Sequence, residues 1–234
     1  NFNLNTFINN YMEWNNKFRY PKSTRSIING SRHYALDGHN LPSVTTILKA
    51  TQSEEDKAGI AAWKERVGYK EAERIKNEAS SRGSSMHSFI EQFLLGKFNL
   101  DLLEEESKSK KMAIEIIDNG LKNKLSEIWG AEATVYYPGK YAGTADCIGI
   151  YEGKETILDF KQSNKPKKEE YIKDYFLQIS GYILAHNTVY NSRITRGTIL
   201  LCTLDGLFQD FTIEGNKLID FQNKFLERVE QFYN

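Results

Sequence analysis

Residues 145 to 151 and 156 to 162 are rich in β-branched and aromatic side chains and flank Glu152-Gly153-Lys154, so this stretch dictates a hairpin with a glycine at its turn. Period-two alternation in the second strand puts Leu158 and Phe160 on one face and Asp159 and Lys161 on the other. Asp146, on the first strand, is expected near Asp159. Hard carboxylate oxygens on adjacent strands suit Mg²⁺ or Mn²⁺, which keep several waters and bridge to substrate phosphates. Lys161 then points the same way and orients or deprotonates a water. The alternative is structural: an Asp/Lys pair on the outer face of any half-exposed strand needs no function.

The chain has 234 residues, 40% hydrophobic and 26% charged, enough to bury a substantial core in one domain. Lys plus Arg and Asp plus Glu each total 31, so any basic surface for a polyanion must be local. The two cysteines, Cys147 and Cys202, form no CxxC pair and offer neither a zinc site nor an iron–sulfur cluster. No run has the length of a membrane span and the N-terminal stretch lacks the apolar core of a secretory signal, so a soluble intracellular protein is expected.

In chain order, residues 1 to 30 read as an N-terminal extension whose Phe2, Phe7, Tyr11 and Trp14 suit one face of a short helix. Residues 31 to 41 suggest a small hairpin turning at Asp37-Gly38, with His33 and His39 at its surface. Ser43 is a natural N-cap, and the hydroxyls of Ser43, Thr45 and Thr46 either receive a phosphate or simply cap the helix. Within a helical insertion over residues 43 to 82, the strongly charged stretch from Glu54 to Arg82, with Trp63 among its few large apolar residues, suits a helix pair standing partly off the core, and its Lys64, Arg66, Arg74, Lys76 and Arg82 are available to a polyanion or serve only as a solvated face. A second helix begins at Gly83, carries the stripe Met86, Phe89, Ile90, Phe93 and Leu94, and ends at Gly96. His87 sits at the margin of that stripe with Glu91 on the same side, as a core histidine or a ligand. Leu102 to Trp129 reads as one long amphipathic helix, and Ala131 to Tyr137 as the strand that pairs with the hairpin. Glu132 reads there as an exposed residue at the strand's start or as one that approaches the carboxylate cluster.

Ser163, Lys165, Lys167 and Lys168 make a basic loop after the hairpin, on the rim of the proposed site. Tyr171 to Tyr190 is a helix on which Gln178 and Tyr182 face the same way. A hairpin over residues 196 to 213 around Asp205-Gly206, and a helix with the face Leu218, Phe221, Phe225, Val229 and Phe232, complete the chain.

Asp146 followed by Asp159-x-Lys161 resembles the PD-(D/E)xK nuclease signature, and Gly143-x-x-Asp146 its RecB-type form. Gly83-x-x-x-His87 upstream and Gln178-x-x-x-Tyr182 downstream occur in the family's order. Leu41-Pro42-Ser43-Val44-Thr45, Ala62-Trp63-Lys64-Glu65-Arg66 and the run from Ile157 to Ser163 are similar to the mitochondrial genome maintenance exonuclease group and its bacterial and phage relatives, over about residues 32 to 213.

The resemblance implies an α/β restriction-endonuclease-like core: a mixed sheet of about four or five strands flanked by helices, with residues 43 to 82 arched over the site, 83 to 213 as catalytic core and 214 to 234 as a terminal helix. It implies His87, Asp146, Asp159 and the Phe160 backbone carbonyl as ligands of one or two Mg²⁺ or Mn²⁺ ions, and Lys161 as the catalytic lysine. Gln178 and Tyr182 would steady the site. Some relatives carry four cysteines for an iron–sulfur cluster; with two here, none is expected. The implied activity is metal-dependent exonuclease action on DNA, single-stranded or with free ends, in replication, recombination or repair. A monomer working beside a recombination or replication protein, away from any membrane, is expected. The asparagine- and lysine-rich composition suggests the cytoplasm of a bacterial or phage-infected cell rather than the mitochondrial matrix. A structure-selective endonuclease and a catalytically silent DNA-binding module remain as alternatives.

Overall fold

A computed structural model describes residues 12–36, 38–97 and 107–234. A six-stranded mixed sheet forms its centre, in the order β1 (Glu13–Trp14), β5 (Leu125–Tyr137), β6 (Tyr141–Tyr151), β7 (Lys154–Ser163), β8 (Arg196–Thr203), β9 (Phe208–Glu214). Neighbours run antiparallel except β1–β5 and β7–β8, which are parallel. A parallel pair needs a crossover, and the helix α5 (Lys173–Tyr190) supplies it between β7 and β8.

Helices cover both faces of the sheet. On one side α1 (Val44–Ala50), α5 and α6 (Gly215–Tyr233) bury Ile47, Ile179, Ile183, Phe225 and Val229 against Ile148, Ile157 and Ile199. On the other, α3 (Tyr69–Leu94) and α4 (Lys108–Ile116) bury Met86, Ile90, Met112 and Ile116 against Leu158, Phe160 and Leu200. Alternation along β7 thus sends Leu158 and Phe160 into the α3/α4 core, as the sequence implies, and frees Asp159 and Lys161 for the opposite side. The β6–β7 turn is the expected one: Glu152 and Gly153 both have positive φ, 48° and 76°, which twists as a two-residue hairpin requires.

A second sheet of β2 (Thr24–Ile28), β3 (Ser31–Leu36) and β4 (His39–Pro42) packs Tyr34, Leu36 and Leu41 on Ala142 of β6. The hairpin expected there has therefore gained a third strand from the N-terminal extension. The extension also contributes β1, so Trp14 lies in a strand rather than on a helix, with its indole N–H donating to Leu94 O at 2.9 Å. Phe2, Phe7, Tyr11 and Asp37 lie outside the described residues.

Two helix boundaries differ from the sequence reading. The described part of the long helix expected over residues 102 to 129 is α4, closed by a π-type turn over Ile117–Leu121; Asn123 then takes φ 62°, which no helix propagates, and Leu125 opens β5. Trp129 is a strand residue, buried beside α5. The helix expected to begin at Gly83 is instead the continuation of the second helix of the charged pair, one element, α3, with the Arg74 pairs to Glu71 and Glu78 along its exposed first half. The expected pair itself is present and breaks at Gly68, where φ 87° separates α3 from α2 (Glu54–Val67). α2 buries none of its residues and stands off the body, as its composition suggests.

Candidate active site

Both β6 and β7 deliver an aspartate to one cavity of about 400 Å³. The β6–β7 ladder ends at Cys147–Leu158, so the Phe160 N–H beyond it is free to donate to Asp146 Oδ2, at 2.6 Å. That bond fixes the Asp146 carboxylate at the point where the strands part. Its other oxygen, Oδ1, lies 3.3 Å from His87 Nδ1 on α3. Lys161 Nζ sits 2.6 Å from Asp159 Oδ2 and donates to Gln178 Oε1 at 3.0 Å, while Gln178 Nε2 donates to the Tyr182 hydroxyl at 2.9 Å. All the residues of the four separated motifs, positions 83 to 182, therefore converge.

Glu132 completes the cluster. Ala131 pairs with Cys147 and Ala133 with Ala145, so Glu132 falls opposite Asp146, and its φ of 47° is left-handed. Its Oε1 lies 3.8 Å from His87 Nδ1. Of the two expectations for Glu132, approach to the carboxylate cluster is the one observed, and the exposed reading is corrected. Its left-handed backbone has no sequence signature of its own.

The electrostatics follow from burial and pairing. Burial opposes the His87 imidazolium, but the Asp146 carboxylate and then Glu132 outweigh it and raise the pKa to about 10. Burial likewise pushes Asp146 up, yet His87, Lys161 and the Phe160 N–H hold it below the usual carboxylate range. Asp159 goes the other way: burial, aided by the Asp146 charge, lifts it to about 6 against the pull of Lys161. Lys161 stays above its ordinary value because Asp159 and Asp146 overcome its desolvation.

The donor set fits a hard divalent cation. His87, Glu132 and Asp146 each offer a ligand atom, and these atoms lie within 4.8 Å of one another. Asp159 Oδ2 is buried and, although in ion-pair contact with Lys161, receives no well-directed hydrogen bond from any described residue. A buried carboxylate oxygen with an unused lone pair is what a cation would satisfy. The set differs from the one the resemblance implies, since Glu132 joins His87 and Asp146 in the compact group while Asp159 stands beside it, held by Lys161. The Phe160 residue is present at the site through its N–H.

No protein-family model matches the chain. It is 29% identical over 216 residues to mitochondrial genome maintenance exonuclease 1 of Xenopus tropicalis, across 86% of this chain and 60% of that protein. The mouse protein of the same name is 32% identical over 181 residues, covering 73% of this chain and 52% of that one, and the human protein 28% identical over 211 residues, covering 84% and 59%. The chain is similar in sequence to these exonucleases. The resemblance read from its motifs is thereby borne out, and the chain spans roughly half to three-fifths of the length of the relatives it matches.

The residues expected to touch a nucleic acid scatter more widely. Ser43 and Thr45 line the cavity, but Ser43 Oγ accepts the Thr46 N–H at 2.9 Å as a helix cap, and the buried Thr46 hydroxyl donates to Arg32 O. Ser43 is thus the helix cap while still lining the cavity, and the Thr46 hydroxyl ties the helix to β3. Arg82 donates from Nε to Gln162 Oε1 at 2.8 Å and from Nη2 to Asn164, clamping the end of β7 instead of facing solvent freely. Ser163 Oγ donates to Lys165 O, and Gln209 brackets Lys167 through both its N–H and its carbonyl. Trp63, Lys64 and Arg66 lie on α2, and with Lys165, Lys167 and Lys168 they are outside the cavity lining. Sequence reasoning missed Arg25, Arg32 and Thr144, which line the cavity because the small sheet docks on β6. It also passed over Ser84 and Ser88, which with His87 and Glu91 form a polar helical face at i, i+3, i+4, i+7 that was legible in the sequence.

Proposed function

We propose that this chain is a metal-dependent exonuclease that hydrolyses DNA phosphodiester bonds. The convergence of Asp146, Asp159, Lys161 and His87 at one cavity carries the reading, and the names of the relatives support the exonuclease direction.

His87, Glu132, Asp146 and Asp159 would hold Mg²⁺ or Mn²⁺, with the Phe160 carbonyl as a further ligand. Such an ion supplies charge for the phosphate and acidity for a bound water. The chain's own residues do the rest. Lys161, kept charged by its two carboxylate neighbours, faces the cavity as an ammonium that orients a water and offsets negative charge developing on phosphate oxygens. Gln178 fixes the ammonium and is itself fixed by Tyr182, so the charge is positioned before substrate arrives.

Single-stranded DNA or a strand end is the proposed substrate, passing beneath α2 and the first half of α3, where Trp63 and the exposed Tyr69 stack on bases and Lys64 and Arg66 follow the backbone. Lys165, Lys167 and Lys168 extend this basic track. Replication, recombination or repair, as a monomer in a bacterial or phage-infected cell, is the proposed setting; the composition supports it, whereas the relatives' names point to mitochondria. No helix among the described residues is long and apolar enough to cross a membrane.

Digestion of end-labelled linear and circular single strands over a Mg²⁺ and Mn²⁺ titration tests the proposal. Linear strands should be degraded and circles spared. Circles cut as fast as linear strands would replace the exonuclease with an endonuclease of the same core, and inertness toward both would remove the nuclease reading.

A further inference from the structure

Part of the cavity's wall comes from the small sheet, through Arg25, Arg32 and Tyr34. Arg25 pairs across the strands with Tyr34, and Arg32 stands two residues before Tyr34, so period two places Arg25, Arg32, Tyr34 and Leu36 on the same face. That face is the inward one, since Tyr34 and Leu36 are buried against the body. Arg32 therefore points toward the cavity by strand alternation, and it lines it.

The two arginines are not equivalent. Arg25 Nη2 donates to Thr144 Oγ1 at 2.8 Å and approaches Glu132 at 3.5 Å, which commits it to holding that side chain. Lys161 is similarly committed to Asp159, and His87 to Asp146 and Glu132. The Arg32 guanidinium has no hydrogen bond or ion pair with any described residue, although its backbone is pinned: its carbonyl accepts the Ser43 N–H at 3.0 Å and the Thr46 hydroxyl at 2.9 Å. A side chain with a fixed root, a free planar fork of donors and an aim into a cavity that takes a polyanion is suited to one phosphate.

Resting on the nuclease reading above, we infer that Arg32 is a positioning residue that grips a DNA phosphate next to the one being cut. The phosphate is either an internal diester or the terminal monoester of the strand. In both cases the guanidinium sets how far the strand advances over the acidic cluster, and it offsets the repulsion that the carboxylates exert on the strand.

The test is anisotropy of a labelled single strand with the full chain in EDTA, where no cleavage occurs, together with steady-state hydrolysis in Mn²⁺. Arg32→Gln should bind about ten-fold more weakly and lower the slope of log K against log salt by about one. Arg32→Lys should recover part of the affinity, and both variants should melt with the parent because the side chain is exposed. In hydrolysis the KM should rise by more than kcat falls. Neutralising single linkages as methylphosphonates, or removing the terminal phosphate, should abolish the difference between parent and Arg32→Gln at one position, and which change does so identifies the phosphate. Equal affinity, salt slope and KM in parent and Arg32→Gln would overturn the inference. A parent that binds DNA but never cleaves it would sink the nuclease reading instead, and the two failures are told apart by the parent's own digestion.

Discussion

Tyr182 lies so close over Gly143 that a Cβ on the glycine would overlap its ring. The contact joins the start of the Gly143-x-x-Asp146 motif to the end of Gln178-x-x-x-Tyr182, two motifs that share nothing along the chain. Gly143 is therefore needed for what it lacks, and Tyr182 is held where its hydroxyl can accept from Gln178.

Gly143→Ala should push the ring aside and loosen the Tyr182–Gln178–Lys161 chain. Overpacking of this kind costs about 1–3 kcal/mol, so a lowered melting temperature should accompany a larger fall in kcat. A singly substituted protein with parental kcat would show that the contact does not position the lysine.

Glu132→Gln tests the residue that the sequence left between the surface and the site. Loss of one carboxylate from the group with His87 and Asp146 should weaken Mn²⁺ binding, measured by calorimetry, by about ten-fold or more. Unchanged affinity would return Glu132 to a purely structural role.

Lys161→Gln removes the cation that Asp159 leans on. DNA binding in EDTA should persist while hydrolysis falls by about 10²–10³, the scale of losing one preorganised charge contact in a transition state. Hydrolysis within a few-fold of the parent would mean the ammonium is dispensable.

His186 gives a pH prediction away from the site. It is fully buried, contacts the Tyr20 hydroxyl at 3.0 Å and Ser192 Oγ at 2.7 Å, and is lowered to about 4 by burial and then by Lys17. An unfolded imidazole titrates near ~6.5, so between these values the unfolded chain binds the extra proton. The neutral ring's contribution is complete above about pH 6.5 and is lost as pH falls toward 4, amounting to about 3 kcal/mol. His186→Phe should flatten the slope of unfolding free energy against pH in that window, and an identical slope would contradict the assignment.

The parts of the fold readable in advance are those whose period and punctuation agree. The β6–β7 hairpin and α6 declare themselves by alternation, a Glu-Gly turn and a 3.6-residue stripe. Asp146, Asp159 and Lys161 were legible for the same reason, because strand parity alone sends the second and third to one face. Glu132 was legible only as one of two alternatives and Arg32 not at all, since one depends on a local left-handed backbone and the other on a small sheet docking against β6, neither of which leaves a local pattern. The helix expected through Trp129 failed because Leu125 and Ile128 continue an apolar spacing that Asn123 has already broken.

If His87, Glu132, Asp146 and Asp159 form one cation-dependent hydrolytic site, hydrolysis of an end-labelled linear single strand in Mn²⁺ must separate the parent from Asp146→Ala. The parent should release labelled product only when the metal is present, while Asp146→Ala should bind the strand in EDTA as the parent does and release none. Equal product from both proteins, or undiminished product from the parent in EDTA, would contradict it.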